Sequence, residues 1–187
     1  MTQKLVVVLL SGYSRSGKDE AAKHLRMYGF RHLSFAEALK KEVSSIYKVP
    51  YHKTLTQEGK ASTFGEGTTT TVRDLLIKHG REMRDVDADY WANKTHQDII
   101  QDNVNKKFVI SDTRYMNEIR VMERNELFHV KTLRIDRYDK SPVDDPSETQ
   151  LDLYPFDDTI QNKGTLEEFE AAIDDYIWKW PFDDIPC

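Results

Sequence analysis

Apolar residues run unbroken over residues 5–10 (LVVVLL), and within two positions the chain turns to Ser11-Gly12. A short valine-rich run without alternation is the pattern of a strand buried on both faces of a parallel sheet. Helical spacing follows over 17–28, with Ala21, Ala22 and Leu25 on one side and Gly29 as the stop. A short run, 31–35, predicts a second strand. It leads to a helix over 36–48 carrying Leu39, Val43, Ile46 and Tyr47, with Pro50 just beyond. From 51 to 71 the periodicity dissolves, and Gly59, Gly65, Gly67 and the run of four threonines at 68–71 mark a mobile loop. Thr71 and Asp74 then resemble a helix start. The stripe that follows holds Val72, Leu75, Leu76, His79 and Met83, interrupted at Gly80. Asp89 opens another helix, with Trp91, Thr95 and Ile99 on one face. KFVIS at 107–111 reads as a strand ending in Asp112-Thr113-Arg114, with a helix over 117–126 and a strand over 129–135 behind it. A polar stretch with three prolines, 138–155, reads as loop. A last short strand, 158–161, and a turn, 162–164, precede a helix that Thr165 and Glu168 open as a capping box. Strands alternating with helices predict an α/β fold on a parallel sheet.

The chemistry begins where the first strand stops. From Gly12 the spacing is G-x4-G-K-D, a phosphate-binding loop with Asp19 where Ser or Thr is usual. Backbone N–H groups of such a loop wrap nucleotide phosphates, and the following helix presents its positive end. Lys18 is placed to reach the β- and γ-phosphates. A carboxylate at Asp19 can ligate Mg²⁺ directly or through a water. Glu20 adds a second acid beside the phosphates, offset by metal or by Arg15, or else is a solvated acid favoured by the helix dipole.

Ligands bind at the carboxyl edge of open α/β sheets. Asp112 and Arg114, at the end of a buried strand, are therefore expected to face the same crevice as the glycine loop. The acid would hold Mg²⁺ or orient an acceptor, and the arginine would clamp a phosphate; a strand-end salt bridge is the structural alternative. Lys40, Arg73, Arg81, Arg134 and Arg137 are further phosphate candidates, although a lone surface cation is more often merely solvated. Trp91 either stacks on a base or packs in the core, and its composition context points to the core.

Composition changes this picture little. The 187 residues suit one domain with a substantial core. With 39% apolar and 32% charged residues the chain reads as globular. No apolar run approaches the roughly 20 residues a membrane helix needs, and no signal-peptide pattern precedes the glycine loop. Cys187 is the sole cysteine, so no internal disulfide forms and a cytoplasmic location is expected. The net charge of −5 argues against bulk nucleic-acid binding, while leaving room for a local basic pocket.

Several segments together carry a resemblance. G-Y-S-R-S-G-K-D, S-F-A-E-A-L-K, V-R-D-L-L-I-K-H-G, D-Y-W, V-I-S-D-T-R-Y-M-N-E, P-S-E-T and F-D-D-T-I-Q-N-K-G-T-L-E-E-F occur in that order. The chain thus resembles the phage-type deoxynucleoside monophosphate kinases, a branch of the nucleoside monophosphate kinase-like P-loop proteins, over about 4–177. The resemblance implies one three-layer domain with a central parallel sheet, an acceptor-binding region at about 36–104 and a lid at about 136–156. It implies that Ser14, Arg15, Ser16, Gly17, Lys18, Asp19 and Glu20 bind the ATP phosphates, with Mg²⁺ at Asp19. Asn162 and Gly164 would lie near the adenine. Lys40 would lie at the monophosphate site. Arg73, Gly80, Trp91, Asp112, Arg114 and Glu118 would contact the acceptor or complete its pocket. Arg137 would stand at the base of the lid, and Glu148 in the lid or facing the acceptor. Glu20 stands where the family commonly has Thr, Arg81 stands where the Thr of its central Gly-Thr pair would be, and the 54–71 insertion is short.

What the resemblance implies about activity is transfer of the ATP γ-phosphoryl group to a deoxynucleoside monophosphate such as dGMP or dTMP, with Lys18, Arg15, Arg114 and Arg137 offsetting charge. Its expected partners are ATP and the monophosphate, with neither nucleic acid nor membrane, in the cytoplasm (of a host, if phage-encoded). Relatives suggest a homodimer. Two rivals stay open: another small-molecule kinase on this scaffold, for dephospho-coenzyme A or phosphomevalonate, and a nucleotide-binding regulatory protein without transfer activity. The tail at 178–187 (WKWPFDDIPC) is expected to pack over the last helix or to form an interface.

Overall fold

A computed structural model describes residues 4–65, 67–139 and 145–180. Five strands form one sheet: β1 (Leu5–Ser11), β2 (Arg31–Leu33), β3 (Lys107–Ile110), β4 (Phe128–Asp136) and β5 (Asp158–Gln161). Their order is β2-β3-β1-β4-β5, and every pairing is parallel. β1 is central, and its alternate residues feed two cores. Val6, Val8 and Leu10 face α1 (Lys18–Leu25) and α7 (Leu166–Lys179), packing with Ala21, Leu25, Phe169 and Ile173. Val7 and Leu9 face α5 (Tyr90–Gln101) and α6 (Met116–Glu123), packing with Ile99, Ile119 and Met122. Burial on both faces explains the unbroken apolar run. The three-layer α/β architecture is the one the sequence predicts.

A smaller cluster stands apart. Val43 of α2 (Phe35–Tyr47) packs with Val72, Leu75 and Leu76 of α4 (Val72–Val86). Glu42 ties these elements together: its carboxylate meets His79 at 3.0 Å, the Tyr90 hydroxyl at 3.0 Å and Lys94 at 2.9 Å. Both capping boxes read from sequence form, Thr71 with Asp74 and Thr165 with Glu168.

The stretch expected as mobile loop is built differently. Tyr51–Thr54 is a 3₁₀ turn, and α3 (Gln57–Ala61) is a short helix whose Thr56 side chain accepts the Gly59 N–H. A Thr63–Thr71 bridge, with Val72 N–H on the Ser62 carbonyl at 3.0 Å, clips this segment to the start of α4. No helix among the described residues is long and apolar enough to cross a membrane. Residues 140–144 of the expected lid and 181–187 of the tail lie outside the described residues. Within the tail, Trp180 is tied down, its indole N–H donating to Asp158 at 2.8 Å, while Trp178 is 79% exposed.

Candidate active site

From β1 the chain runs to β2 on one side, and from β3 it crosses to β4 on the other. The carboxyl ends of β1 and β3, which are neighbours, therefore open the crevice where such sheets bind ligands. Thr113 N–H donates to the Leu10 carbonyl at 3.2 Å and so ties the two strand ends together.

The loop after β1 takes its shape from three residues of positive φ: Gly12 (142°), Arg15 (63°) and Gly17 (107°). Arg15 pays the cost of a side chain in the left-handed region. At Gly12 a Cβ would overlap the Ile135 carbonyl and the Ser16 hydroxyl, and at Gly17 it would overlap the Asn162 amide. Backbone reversals of this kind build anion-binding nests. Lys18 opens α1 and folds back, its Nζ donating to the carbonyls of Gly12 (2.6 Å) and Tyr13 (2.8 Å). Burial pushes its pKa down, as does the charge of Arg114, while Glu148, Asp19 and Asp112 push it up. Ser16 is fully buried, and its hydroxyl has no partner among the described residues.

Opposite the loop, the Asp112-Thr113-Arg114 turn is held from two sides. Asp112 accepts the N–H groups of Phe35 (2.8 Å) and Ala36 (2.9 Å), capping α2 from a distant strand. Burial raises its pKa against those two bonds. Glu118 accepts the N–H groups of Arg114 (2.7 Å) and Tyr115 (3.0 Å). It is 5% exposed, and burial, aided by the charge of Asp112, pushes its pKa up to about 8. Glu118 thus shapes the turn that presents Arg114. The Arg114 guanidinium reaches Ser147 Oγ at 3.0 Å and the Glu148 carboxylate at 2.6 Å. The other oxygen of Glu148 accepts the backbone N–H of Ser14. A protein carboxylate therefore holds a loop donor and the arginine together.

Asp19 is exposed and accepts the Ser111 hydroxyl at 3.0 Å. Mg²⁺ is usually held by one or two carboxylates, waters and substrate phosphates. Asp19 fits that sparse set, and no cluster of three metal-ligating side chains exists among the described residues. Glu20 pairs with Lys23 at 2.9 Å along the outer surface of α1, the arrangement of a solvated first-turn acid.

The residues expected around an acceptor divide. Lys40 and Arg73 lie on α2 and α4, whose Val43 and Val72 pack together, and α3, which carries Lys60, meets Arg73 through Gln57. The pKa of Lys60 is pushed down by burial and then by the charges of Lys40 and Arg73. Arg73 donates to Gln57 Oε1 at 2.6 Å. Lys60 carries no sequence signal, sitting in a stretch without periodicity. Gly80 is buried, and its role is close packing: a Cβ there would press on Leu39 at 3.3 Å. Trp91 corrects the expectation of a ligand contact. It is 3% exposed, its indole N–H donates to the Gly80 carbonyl at 3.2 Å, and its ring packs on His79 and Tyr90.

Asn162 and Gly164 serve the loop and the last helix. Asn162 is buried and its side-chain amide donates to the Ser16 carbonyl at 2.7 Å, bracing the glycine loop. At Gly164 a Cβ would overlap Glu168, which accepts the Thr165 N–H at 2.8 Å. Arg137 stacks over Tyr138 at 5.9 Å, and neither it nor Arg15 meets a carboxylate among the described residues. Arg134 is otherwise engaged, with Asp152 at 2.8 Å and over the Tyr13 ring at 4.7 Å. These residues line a cavity of about 310 Å³ beside the loop, together with Asp136, Tyr154 and Phe156. Sequence reading did not find this cavity, because Tyr154 and Phe156 lie in a stretch of loop composition.

No protein-family model matches the chain, and no curated protein is similar to it in sequence. Solved structures are similar in fold. Dephospho-CoA kinase from Campylobacter jejuni superposes with a TM-score of 0.52 at 12% identity, over 92% of this chain and 96% of that one. Shikimate kinase from Bacteroides thetaiotaomicron gives 0.52 at 12% identity, over 95% and 99%. TT1252 from Thermus thermophilus gives 0.53 at 15% identity, over 96% and 99%. The chain shares the α/β fold of these proteins over nearly its whole length.

Proposed function

We propose that this protein transfers the γ-phosphoryl group of ATP to a deoxynucleoside 5′-monophosphate, yielding a deoxynucleoside diphosphate and ADP. One observation supports the reading: two cationic sets adjoin one sheet edge. The first is the glycine loop with Lys18. The second is Arg114, with Lys40, Lys60 and Arg73 on the packed helices α2, α3 and α4. The shared fold with two named small-molecule kinases supports phosphoryl transfer. The monophosphate acceptor rests on the sequence resemblance and on the second cationic set.

The chemistry asks little covalent work of the protein. An acceptor phosphate oxygen, already anionic, attacks the γ-phosphorus. The bond from that phosphorus to the β–γ bridging oxygen breaks, and ADP leaves with the electron pair. Positioning and charge neutralisation dominate. Lys18 exchanges its two loop carbonyls for phosphate oxygens. Arg114 exchanges Glu148 for the transferred group, while Arg15 and Arg137, which meet no carboxylate among the described residues, add charge. Asp19 would hold Mg²⁺, which would neutralise charge on the nucleotide phosphates. A hydroxyl acceptor would instead need a general base. Both oxygens of Asp112, the acid nearest that role, already accept helix N–H groups. Each oxygen keeps a further lone pair, so the choice of a phosphate acceptor rests on the sequence resemblance and on the second cationic set.

The test follows labelled γ-phosphoryl into dNDP for the wild-type protein and for Lys18→Ala. Transfer by the wild type and near-complete loss in a folded Lys18→Ala protein are expected. Near-normal turnover by that variant contradicts the assignment.

A further inference from the structure

We propose that Lys60 is a specificity residue, the third cation of the acceptor-phosphate site, binding the 5′-phosphate jointly with Lys40 and Arg73. This rests on the acceptor reading above and adds to it a segment that sequence pattern leaves as loop.

Helix α3 is placed rather than loose. Thr56 caps it, and Gly59 lies so close to Lys53 that a Cβ would overlap the Lys53 backbone. The Ser62 carbonyl accepts the Val72 N–H, fixing the end of α3 to the first turn of α4. Gln57 bonds Arg73 at 2.6 Å, and Lys60 lies one turn further along the same side of α3. Lys40 lies one turn before Val43 on α2, the residue that packs on Val72 next to Arg73, and its charge acts on Lys60 and on Asp112. Asp112 at the end of β3 accepts the first N–H groups of α2, the helix that carries Lys40, and so links this group to the crevice.

No carboxylate among the described residues pairs with Lys40, Lys60 or Arg73. Three like charges gathered from three helices repel, and Lys60 is half-buried besides. In a chain of net charge −5 there is no shortage of acids to neutralise them. A phosphate monoester, carrying about two negative charges at neutral pH, is the ligand whose charge and oxygen number suit such a set.

Two measurements test this. In the first, Lys60→Gln and Lys60→Arg are compared with wild type in steady-state transfer. Lys60→Gln is expected to raise KM for the monophosphate roughly tenfold or more, the effect of losing one charge-assisted hydrogen bond. KM for ATP should stay unchanged, and Lys60→Arg should recover most of the loss. An unchanged acceptor KM in Lys60→Gln overturns the inference while leaving the kinase reading intact. The second uses inorganic phosphate as the probe and needs no turnover. Lys60 in the wild type should be acetylated readily by acetic anhydride at pH 8 and be protected by millimolar phosphate, with protection lost in Lys40→Gln. Protection without turnover of any nucleoside monophosphate would keep the anion site and refute the acceptor reading. Absence of protection would refute Lys60 as a phosphate ligand.

Discussion

The carboxylate of Glu148 lies 2.6 Å from the guanidinium of Arg114, and its second oxygen accepts the backbone N–H of Ser14. Glu148 is 8% exposed and sits on the donors a bound phosphate would use. On the proposed function it would compete with the nucleotide for the loop. Glu148→Gln, which keeps the shape and removes the charge, should tighten ATP binding by about tenfold, the worth of one charge-assisted bond. Calorimetric titration in the absence of acceptor checks it, and unchanged or weaker affinity would show that Glu148 does not compete.

Asn162 is expected to matter through the backbone it holds. Replacing it with Ala leaves the buried Ser16 carbonyl without its 2.7 Å donor, at a cost of about 1–2 kcal/mol. Both the urea midpoint and ATP affinity should fall. A variant with lower stability but unaltered ATP affinity would separate the brace from the phosphate loop.

Asp112→Ala removes the cap of α2. Phe35 and Ala36 lose their acceptor, and the expected loss of stability is about 1–2 kcal/mol. Because α2 also carries Lys40, acceptor KM should rise with it. Denaturant unfolding and acceptor kinetics on the same protein test the coupling, and a stability change of under about 0.3 kcal/mol would refute the capping role.

The difference between local and distant signals explains what could be read from the chain. β1 announces itself because both faces are buried, and the Thr71–Asp74 and Thr165–Glu168 boxes because both partners lie within four residues. Helix α3 gives no such signal. Five residues hold little more than one turn, and Gln57, Glu58, Gly59 and Lys60 offer no apolar stripe. Lys60 was therefore invisible as a site residue. Asp112 and Arg114 were legible as occupants of the crevice, since a polar triplet after a buried strand falls at the ligand edge. That Asp112 caps a helix 77 positions away was not, nor that Asn162 reaches Ser16 across 146. Trp91 was legible as a core residue from composition, and its burial against His79 and Tyr90 agrees; only the resemblance put it at the acceptor.

Glu118 gives a pH dependence with a definite sign. Its pKa is near 4.3 in an unfolded chain and about 8 in the fold. Between those values the native state holds the extra proton, so stability falls as pH rises from about 5 to 8. Glu118→Gln cannot titrate and should flatten this part of the profile. Urea midpoints at pH 5, 6.5 and 8 for both proteins test it; identical slopes would mean that Glu118 titrates normally.

The central claim is acceptor-dependent phosphoryl transfer. Its most direct measurement is coupled ADP release with ATP and Mg²⁺ against a panel of ribo- and deoxyribonucleoside monophosphates, with dephospho-coenzyme A, phosphomevalonate and shikimate alongside. ADP release that depends on dGMP, dTMP or another deoxynucleoside monophosphate, and is absent with the other acceptors, is predicted. ATP binding without release on any acceptor, or release with one of the non-nucleotide acceptors instead, would contradict the account.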